Sequence, residues 1–352
     1  MVKLDFHRLS AYLLTALCRW RVFMVLSVLV LVALGLLLWP KESSEGLREH
    51  IPKRRVSTTG LLLPLEKVSV VDARMVALGE KLFSDVRLSR DSTVACASCH
   101  NLSAAGADGR MHSIGIDGQM GAINAPTVFN ATFNFRQFWD GRSASLEEQV
   151  TGPITNPIEM GSTWEEVVLR LAGDAAYKAE FNALFPDGVT ATNVRKTIAE
   201  FERTLVTPNA PFDRFLLGDQ GAMNKKAQTG LRLFQEYGCI ACHQGRNLGG
   251  TMYEKLGIVR PFYGPDRPHK PEDLGRFNLT KEEEHKFEFK VPGLRNVAKT
   301  GPYLHDGSVA TLDEVVRLMG RYQLGIEFTH TEVQALVAFL ESLTGEYNGR
   351  PL

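Results

Sequence analysis

Four of the five cysteines in this chain lie in two short clusters, and each cluster ends in a histidine. The clusters read Cys96-Ala-Ser-Cys99-His100 and Cys239-Ile-Ala-Cys242-His243, so both have the spacing C-x-x-C-H. At this spacing two thiols can bond covalently to the vinyl groups of a haem while the adjacent histidine coordinates the iron. The sequence therefore predicts two covalently bound c-type haems.

A four-cysteine zinc site and a thiol redox pair are the alternatives for these clusters. The cysteine pairs of such zinc modules usually lie about 15–20 residues apart, whereas 139 residues lie between Cys99 and Cys239. A redox C-x-x-C motif needs no histidine after its second cysteine. Both differences favour haem attachment. Because covalent haem attachment occurs outside the bacterial cytoplasmic membrane, we expect the catalytic part in the periplasm.

An apolar segment near the N-terminus predicts a membrane anchor. The segment 22–39 has 18 residues and no charge, and at about 1.5 Å per residue such a helix covers roughly 27 Å of bilayer. A cleaved signal peptide is the alternative, but its apolar region is normally about 7–15 residues long. Basic residues flank the segment on both sides, so charge does not decide the orientation. We expect residues 1–40 to form a cytoplasmic arm and a single-pass inner-membrane anchor, and 41–70 to form a linker.

The elements that must position the two clusters are predicted to be helices, so the fold class is mainly α. Apolar residues recur three and four positions apart in several segments, namely TWEEVVLRLAG, AAYKAEFNALF, TATNVRKTIAEFERTLV, TLDEVVRLMGRYQ and HTEVQALVAFLESLTG. Thr311 and Thr329 are expected helix caps. Strand signals are short and weak. The stretches 101–126 and 244–271 contain many Gly, Asn and Pro residues and are predicted to be loops that carry function.

A parallel between the two halves indicates a duplication. VDARMVALGEKLFSD precedes the first cluster and NKKAQTGLRLFQEYG precedes the second, with a boundary near 208–218. We predict two haem domains, 71–212 and 213–352. The apolar content of 44% is that of a folded protein. Lys and Arg total 40 and Asp and Glu total 40, so the basic excess of a nucleic-acid binder is missing.

Beyond the cysteine clusters, the sequence resembles the bacterial dihaem cytochrome c peroxidases over roughly residues 70–346. The motifs that carry the resemblance, in the family's order, are Asn124-Ala-Pro-Thr127, Gln137-Phe-Trp-Asp-Gly-Arg142, Gly152-Pro-Ile-Thr-Asn-Pro-Ile-Glu-Met160, Val291-Pro-Gly-Leu-Arg-Asn-Val297, Gly301-Pro-Tyr-Leu-His-Asp-Gly307 and Met319-Gly-Arg-Tyr-Gln323. The resemblance implies two cytochrome c-like, mainly helical domains. The first would hold the peroxide-reactive haem and the second an electron-entry haem.

The resemblance also implies the axial ligands. His100 matches the proximal ligand of the peroxidatic haem, and His243 matches that of the electron-transfer haem. Met319 matches the second axial ligand of the electron-transfer iron. Histidine–methionine ligation raises the potential of a haem, which suits a site that accepts electrons from a small high-potential carrier.

Three further residues match the family's catalytic machinery. Glu159 and Gln149 match the acid–base pair of the peroxide pocket, where O–O cleavage needs a group that moves a proton between the peroxide oxygens. Trp139 matches the tryptophan that lies between the two haems on the electron path.

A calcium ion is also implied by the resemblance. Asn124 and the backbone carbonyls of Thr300 and Pro302 match the family's calcium ligands, and an oxygen-only set suits this hard cation. His305 belongs to the same matched loop, near the expected haem propionates, and has no assigned role.

The sequence departs from the family at one position. Many members carry Ser-Ile-Gly-His, whose histidine caps the resting peroxidatic iron, but this chain reads Ser113-Ile-Gly-Ile116. An isoleucine cannot ligate iron. His112 could serve instead if the loop shifts, but the simpler interpretation is that no histidine caps this haem.

The function implied is that of a periplasmic, membrane-anchored peroxidase that reduces hydrogen peroxide to water. Its electrons would come from a c-type cytochrome or a similar small carrier such as a cupredoxin. The alternative is a dihaem electron-transfer protein or a related protein-modifying dihaem oxidase with little peroxidase turnover. Glu159, Gln149 and Trp139 favour the peroxidase, and Met319 argues against the protein-modifying branch, which has a tyrosine there. A homodimer is left open.

Overall fold

Two helix pairs organise the part of the chain that the computed structural model describes, which is residues 60–66 and 72–352. The α-helices in this part are α1 (Ala73–Phe83), α2 (Cys96–Cys99), α3 (Leu146–Gln149), α4 (Thr151–Thr155), α5 (Trp164–Gly173), α6 (Ala175–Leu184), α7 (Ala191–Thr204), α8 (Pro211–Leu216), α9 (Lys225–Glu236), α10 (Phe277–Thr280), α11 (Leu312–Met319) and α12 (His330–Glu341). The prediction of a mainly helical fold is confirmed.

Side-chain caps fix where the predicted helices begin. The Thr311 hydroxyl accepts a hydrogen bond from the Glu314 N–H at 3.2 Å at the start of α11. At the start of α12 the Thr329 hydroxyl accepts from the Glu332 N–H, and the Glu332 carboxylate accepts from the Thr329 N–H at 2.7 Å. Such reciprocal bonds satisfy N–H groups that the first turn of a helix leaves free. Both predicted caps are confirmed.

A glycine in each half lets two helices pack closely. Helix α1 packs on α7 through Gly79, where a Cβ would collide with the carbonyl oxygen of Thr197. Helix α9 packs on α12 through Gly230, where a Cβ would collide with the carbonyl oxygen of Ala335. The predicted parallel between the halves therefore extends to their helix packing.

A second pair of equivalent contacts lies after these helices. The Asn130 N–H donates to the carbonyl of Leu205 at 2.8 Å, and the Asn296 N–H donates to that of Leu343 at 3.2 Å. Both asparagines adopt the left-handed backbone conformation, with φ of 63° and 62°. Each begins a short 3₁₀ helix, Ala131–Phe133 in the first half and Val297–Lys299 in the second.

One buried hydroxyl joins the two halves. Thr207 is fully buried, and its Oγ1 accepts a hydrogen bond at 2.9 Å from the side-chain amide of Asn130 and another at 2.9 Å from that of Asn296. The Asn130 Oδ1 in turn accepts from the Thr207 N–H at 3.0 Å. The predicted boundaries 71–212 and 213–352 stay predictions.

The predicted loops have little regular structure. The stretch 101–126 contains the 3₁₀ helices Leu102–Ala104 and Ile116–Gly118. The stretch 244–271 contains the strand β1 (Tyr253–Lys255), which pairs antiparallel with β2 (Glu288–Lys290). Near the C-terminus β3 (Glu346–Tyr347) pairs antiparallel with β4 (Arg350–Pro351).

The membrane prediction falls on residues that the structure does not describe. Neither the anchor 22–39 nor the fifth cysteine, Cys18, lies within 60–66 or 72–352. Within these two ranges, no helix is both long and apolar enough to cross a bilayer.

Candidate functional site

A single helical turn presents the first cysteine pair. Helix α2 spans Cys96–Cys99, and the N–H of His100 donates to the Cys96 carbonyl at 2.9 Å. The His100 Nδ1 lies 3.3 Å from the Gly106 carbonyl, so it carries the proton in this hydrogen bond. Burial lowers the pKa of His100. The remaining Nε2 lone pair of a neutral imidazole is what an iron ligand needs.

The second cluster repeats this arrangement. Cys239 begins a 3₁₀ helix, Cys239–Ala241, which Cys242 caps, and the N–H of His243 donates to the Cys239 carbonyl at 3.0 Å. The His243 Nδ1 lies 3.2 Å from the Leu248 carbonyl, and burial lowers the pKa of His243 to about 4. The donor set of each cluster, two thiols and an oriented imidazole, therefore fits covalent haem.

A cavity lined by the first cluster is also lined by several of the other predicted site residues. Apolar side chains such as Val150, Ile198 and Phe289 form part of its wall. The predicted residues that line it are Cys96, Cys99, His100, Asn124, Trp139, Gln149 and Glu159. A cavity with apolar walls that is also lined by two attachment thiols and a few polar groups fits a haem.

Glu159 is held by its neighbours in this cavity. Its Oε1 accepts a hydrogen bond of 2.6 Å from the side-chain amide of Asn156. Burial raises the pKa of Glu159, while the Asn156 hydrogen bond and the positive charge of Arg142 oppose that rise. Gln149 ends α3 and lines the same cavity.

The loop that departs from the family packs beside Glu159. The Ile116 N–H donates to the Glu159 carbonyl at 2.8 Å, and the Ile116 side chain is fully buried in the apolar cluster of the first half. A Cβ on Gly161 would collide with Cδ1 of Ile116. Of the described residues that line the cavity, His100 alone is a histidine, and His112 is not among them.

Trp139 lines the cavity of the first cluster and contacts an apolar cluster that Met319 also contacts. Its Nε1 donates to the Asn124 carbonyl at 3.0 Å, and it lines the cavity of the first cluster. It also packs against the apolar cluster of Leu256, Phe262 and Phe289, which Met319 contacts from the end of α11. The role of Met319 as an iron ligand stays a prediction.

The loop predicted to hold calcium contacts Asn124. The Asn124 N–H donates to the His305 carbonyl at 2.8 Å, and Thr300 and Pro302 precede His305 in that loop. The His305 Nε2 lies 2.7 Å from an Asp273 carboxylate oxygen. The calcium ligands stay a prediction.

Glu202 also lines the cavity and is not among the predicted site residues. It lies on α7 among the lining residues and is 6% exposed. Its signal in the sequence is an acid on the apolar face of a predicted helix, four residues after Ile198 and three before Leu205.

Comparisons with known proteins agree with this geometry. The family model for di-haem cytochrome c peroxidase matches residues 73–221. Cytochrome c551 peroxidase of Nitrosomonas europaea is 45% identical over 284 residues, which cover 80% of this chain and 84% of that protein. The cytochrome c551 peroxidase of Pseudomonas aeruginosa is 44% identical over 273 residues, covering 76% and 78%. Cytochrome c peroxidase Ccp of Escherichia coli (strain K12) is 49% identical over 285 residues, which cover 81% of this chain but only 61% of that longer protein.

The fold is also similar to that of solved structures. The crystal structure of a MauG-like protein associated with microbial copper homeostasis matches with a TM-score of 0.72 and 28% identity, covering 82% of this chain and 93% of that chain. The diheme peroxidase BthA from Burkholderia thailandensis matches with a TM-score of 0.66 at 19% identity, covering 81% and 90%. The BthA likeness concerns the fold alone.

Proposed function

Because the chain belongs to the bacterial dihaem cytochrome c peroxidase family, we propose that it reduces hydrogen peroxide to water with electrons from a c-type cytochrome or a similar small carrier. Its relatives at 44%, 45% and 49% identity are named cytochrome c peroxidases, which supports this activity. The family implies two c-type haems, in agreement with the two C-x-x-C-H clusters.

One observation carries the proposal: a single cavity is lined by the first attachment cluster and by Glu159, Gln149 and Trp139. Cys96 and Cys99 would hold the first haem covalently and His100 would ligate its iron. When bound, the haem supplies an iron that binds peroxide and exchanges electrons. Reduction of one peroxide to two waters consumes two electrons and two protons.

Residues that line the cavity would transfer the protons during peroxide reduction. A Glu159 carboxylate can accept a proton from the nearer peroxide oxygen and return it to the departing oxygen. Asn156 fixes Oε1 of that carboxylate through its 2.6 Å hydrogen bond. The side-chain amide of Gln149 can donate a hydrogen bond to one peroxide oxygen and accept one from the other.

Trp139 would lie on the path of electron transfer between the two haems. It lines the first cavity and packs on the cluster that also contacts Met319. If Met319 ligates the second iron, the polarisable indole of Trp139 lies between the surroundings of the two haems.

The cellular setting is part of the same proposal. Residues 1–40 would anchor the protein in the inner membrane, with the haem-binding part in the periplasm, where a cytochrome or cupredoxin donor diffuses. A calcium ion bound by Asn124 and the carbonyls of Thr300 and Pro302 would fix the contact between Asn124 and the loop of His305, whose carbonyl accepts from the Asn124 N–H.

The test is oxidation of a reduced c-type cytochrome by the purified, haem-loaded protein, followed by absorbance with and without hydrogen peroxide. We expect oxidation that depends on peroxide, with two cytochromes oxidised for each peroxide consumed. Electron exchange with the cytochrome but no peroxide-dependent turnover would instead support the dihaem electron-transfer protein.

A further inference from the structure

A buried carboxyl group that the proposed mechanism does not use lines the first cavity. Glu202 projects from α7, is 6% exposed, and its Oε2 has no hydrogen-bond partner. Burying a carboxyl group without a partner is costly, by roughly 1–3 kcal/mol or more when it is charged. Such a group is unexpected in a plain helix-packing surface.

The second half of the chain has a residue that is structurally equivalent to Glu202. Gly79 packs against the Thr197 carbonyl, and Gly230 packs against the Ala335 carbonyl. Because these two glycine contacts are equivalent in the two halves, residue 197 corresponds to residue 335. The Asn130 and Asn296 N–H groups bond to the carbonyls of residues 205 and 343, which gives the same offset. Counting along α7 and α12 from either contact, Glu202 corresponds to Leu340.

Leu340 shows that this position can be filled by an ordinary apolar residue. It is 7% exposed and belongs to the apolar cluster of the second half. The two halves therefore bury this position equally, but only the half with the proposed peroxide site has a carboxyl group there.

The positive charge that acts on Glu202, that of Arg203, is shared with other carboxylates. The neighbouring Arg203 pairs with Glu147 on α3 and with Glu200, at 3.0 Å from the latter. Burial raises the pKa of Glu202 to about 8; the charge of Arg203 opposes that rise and the charge of Glu147 adds to it. His100 and Glu159 line the same cavity, and burial together with the Glu202 charge raises the pKa of the Cys96 thiol.

We propose that Glu202 lowers the reduction potential of the first haem relative to the second, and that its carboxylate takes up one proton when that haem gains one electron. The electron comes from the donor through the second haem, and the proton comes from solvent. A reduced haem carries one positive charge fewer, so a buried negative charge beside it disfavours reduction unless a proton neutralises that charge. Leu340 cannot act in this way. The inference rests on the proposed haem sites but not on peroxide turnover.

The direction of the pH dependence follows from this. At low pH Glu202 is neutral in both redox states and has no effect on the potential. As pH rises, the carboxylate becomes charged in the oxidised protein, so reduction requires proton uptake and the potential of the first haem falls. The potential of the second haem should not show this contribution.

The test is a redox titration of the haem-loaded protein between pH 6 and 9, followed by the absorption of each haem. In the wild type we expect the equilibrium constant for reduction of the first haem to fall up to about tenfold per pH unit, or about 59 mV for a one-electron couple. Glu202→Gln, which keeps the shape of the side chain, should raise this constant at pH 8 and remove most of the slope.

Three variants keep the test decisive. Glu202→Leu, which copies the second half, should behave like Glu202→Gln. Glu200→Gln, on the same helix but paired with Arg203, should retain the wild-type slope. A slope that persists in both Glu202 variants, or that disappears in Glu159→Gln instead, overturns the proposal, as does a wild-type potential independent of pH. Because no peroxide is added, the titration reports on Glu202 even if peroxide turnover proves absent.

Discussion

The backbone N–H of Ile116 donates a hydrogen bond to the carbonyl oxygen of Glu159 at 2.8 Å. The residue that replaces the family's capping histidine is therefore attached to the residue proposed to move protons. Its side chain points into the apolar cluster of the first half, and it does not line the cavity.

This packing predicts an open first haem. We expect the diferric protein to show a high-spin, five-coordinate or water-ligated haem in electron paramagnetic resonance and to react with hydrogen peroxide without prior reduction. His112→Ala is the control, because a hidden cap by His112 would give a low-spin signal that becomes high-spin in the variant. Two low-spin signals with no high-spin component would contradict the open site.

Gly161 should be required to seat this loop. In Gly161→Ala the new Cβ collides with Cδ1 of Ile116, so we expect the free energy of unfolding to fall by about 1–3 kcal/mol beyond the strain of a left-handed alanine. Gly109→Ala is the matched control, because Gly109 has a φ of 69° but no atom within 4 Å of a Cβ.

The same collision can be relieved from the other side. Ile116→Val removes Cδ1 and should recover part of the loss in the Gly161→Ala background, as a double-mutant cycle by denaturant unfolding would show. Additive losses would mean that the two residues do not interact.

Glu159→Gln should keep both haem spectra while lowering peroxide turnover by about 10²–10⁴-fold. Burial raises the pKa of Glu159, and the proposed step needs the ionised form, so activity should fall as pH drops through that raised pKa. The acid limb of kcat/KM should therefore lie above the ordinary glutamate value of about 4.3 and disappear in the variant. The exposed Glu165→Gln is the control, and normal turnover in Glu159→Gln would remove this residue from the mechanism.

Met319→His should lower the reduction potential of the second haem and slow electron entry, because methionine ligation raises the potential. Potentiometry with absorbance detection gives the measurement. Met252, in the stretch 244–271 that follows the second cluster, is the other methionine to test, and Met252→Leu should leave the potential unchanged. A potential that is unchanged in Met319→His but altered in Met252→Leu would assign the ligand to Met252.

The sequence predicted the features that depend on local patterns. The helices that pack through Gly79 and Gly230 follow apolar periodicity, and the Thr311 and Thr329 caps follow from their side chains and positions. The strand pair β1–β2 was not predicted because each strand has three residues and gains its hydrogen bonds from a distant partner.

The cavity residues depended on other information. Glu159 and Gln149 were found only through family motifs, since an isolated Glu or Gln has no periodic signal. Glu202 was missed because its importance depends on the correspondence with Leu340. The packing of Gly79 on Thr197 and of Gly230 on Ala335 defines that correspondence. The amino-acid sequences of α7 and α12 do not reveal it.

The hydroxyl of Thr207 has a thermodynamic consequence. Asn130 and Asn296 occupy equivalent places in the two halves, yet both amides donate to this one oxygen. If the first half melts, the Asn296 amide of the second half loses this acceptor, which costs roughly 1–3 kcal/mol where the amide stays buried. Melting of the first half alone is thereby penalised, which favours a single cooperative calorimetric transition on heating.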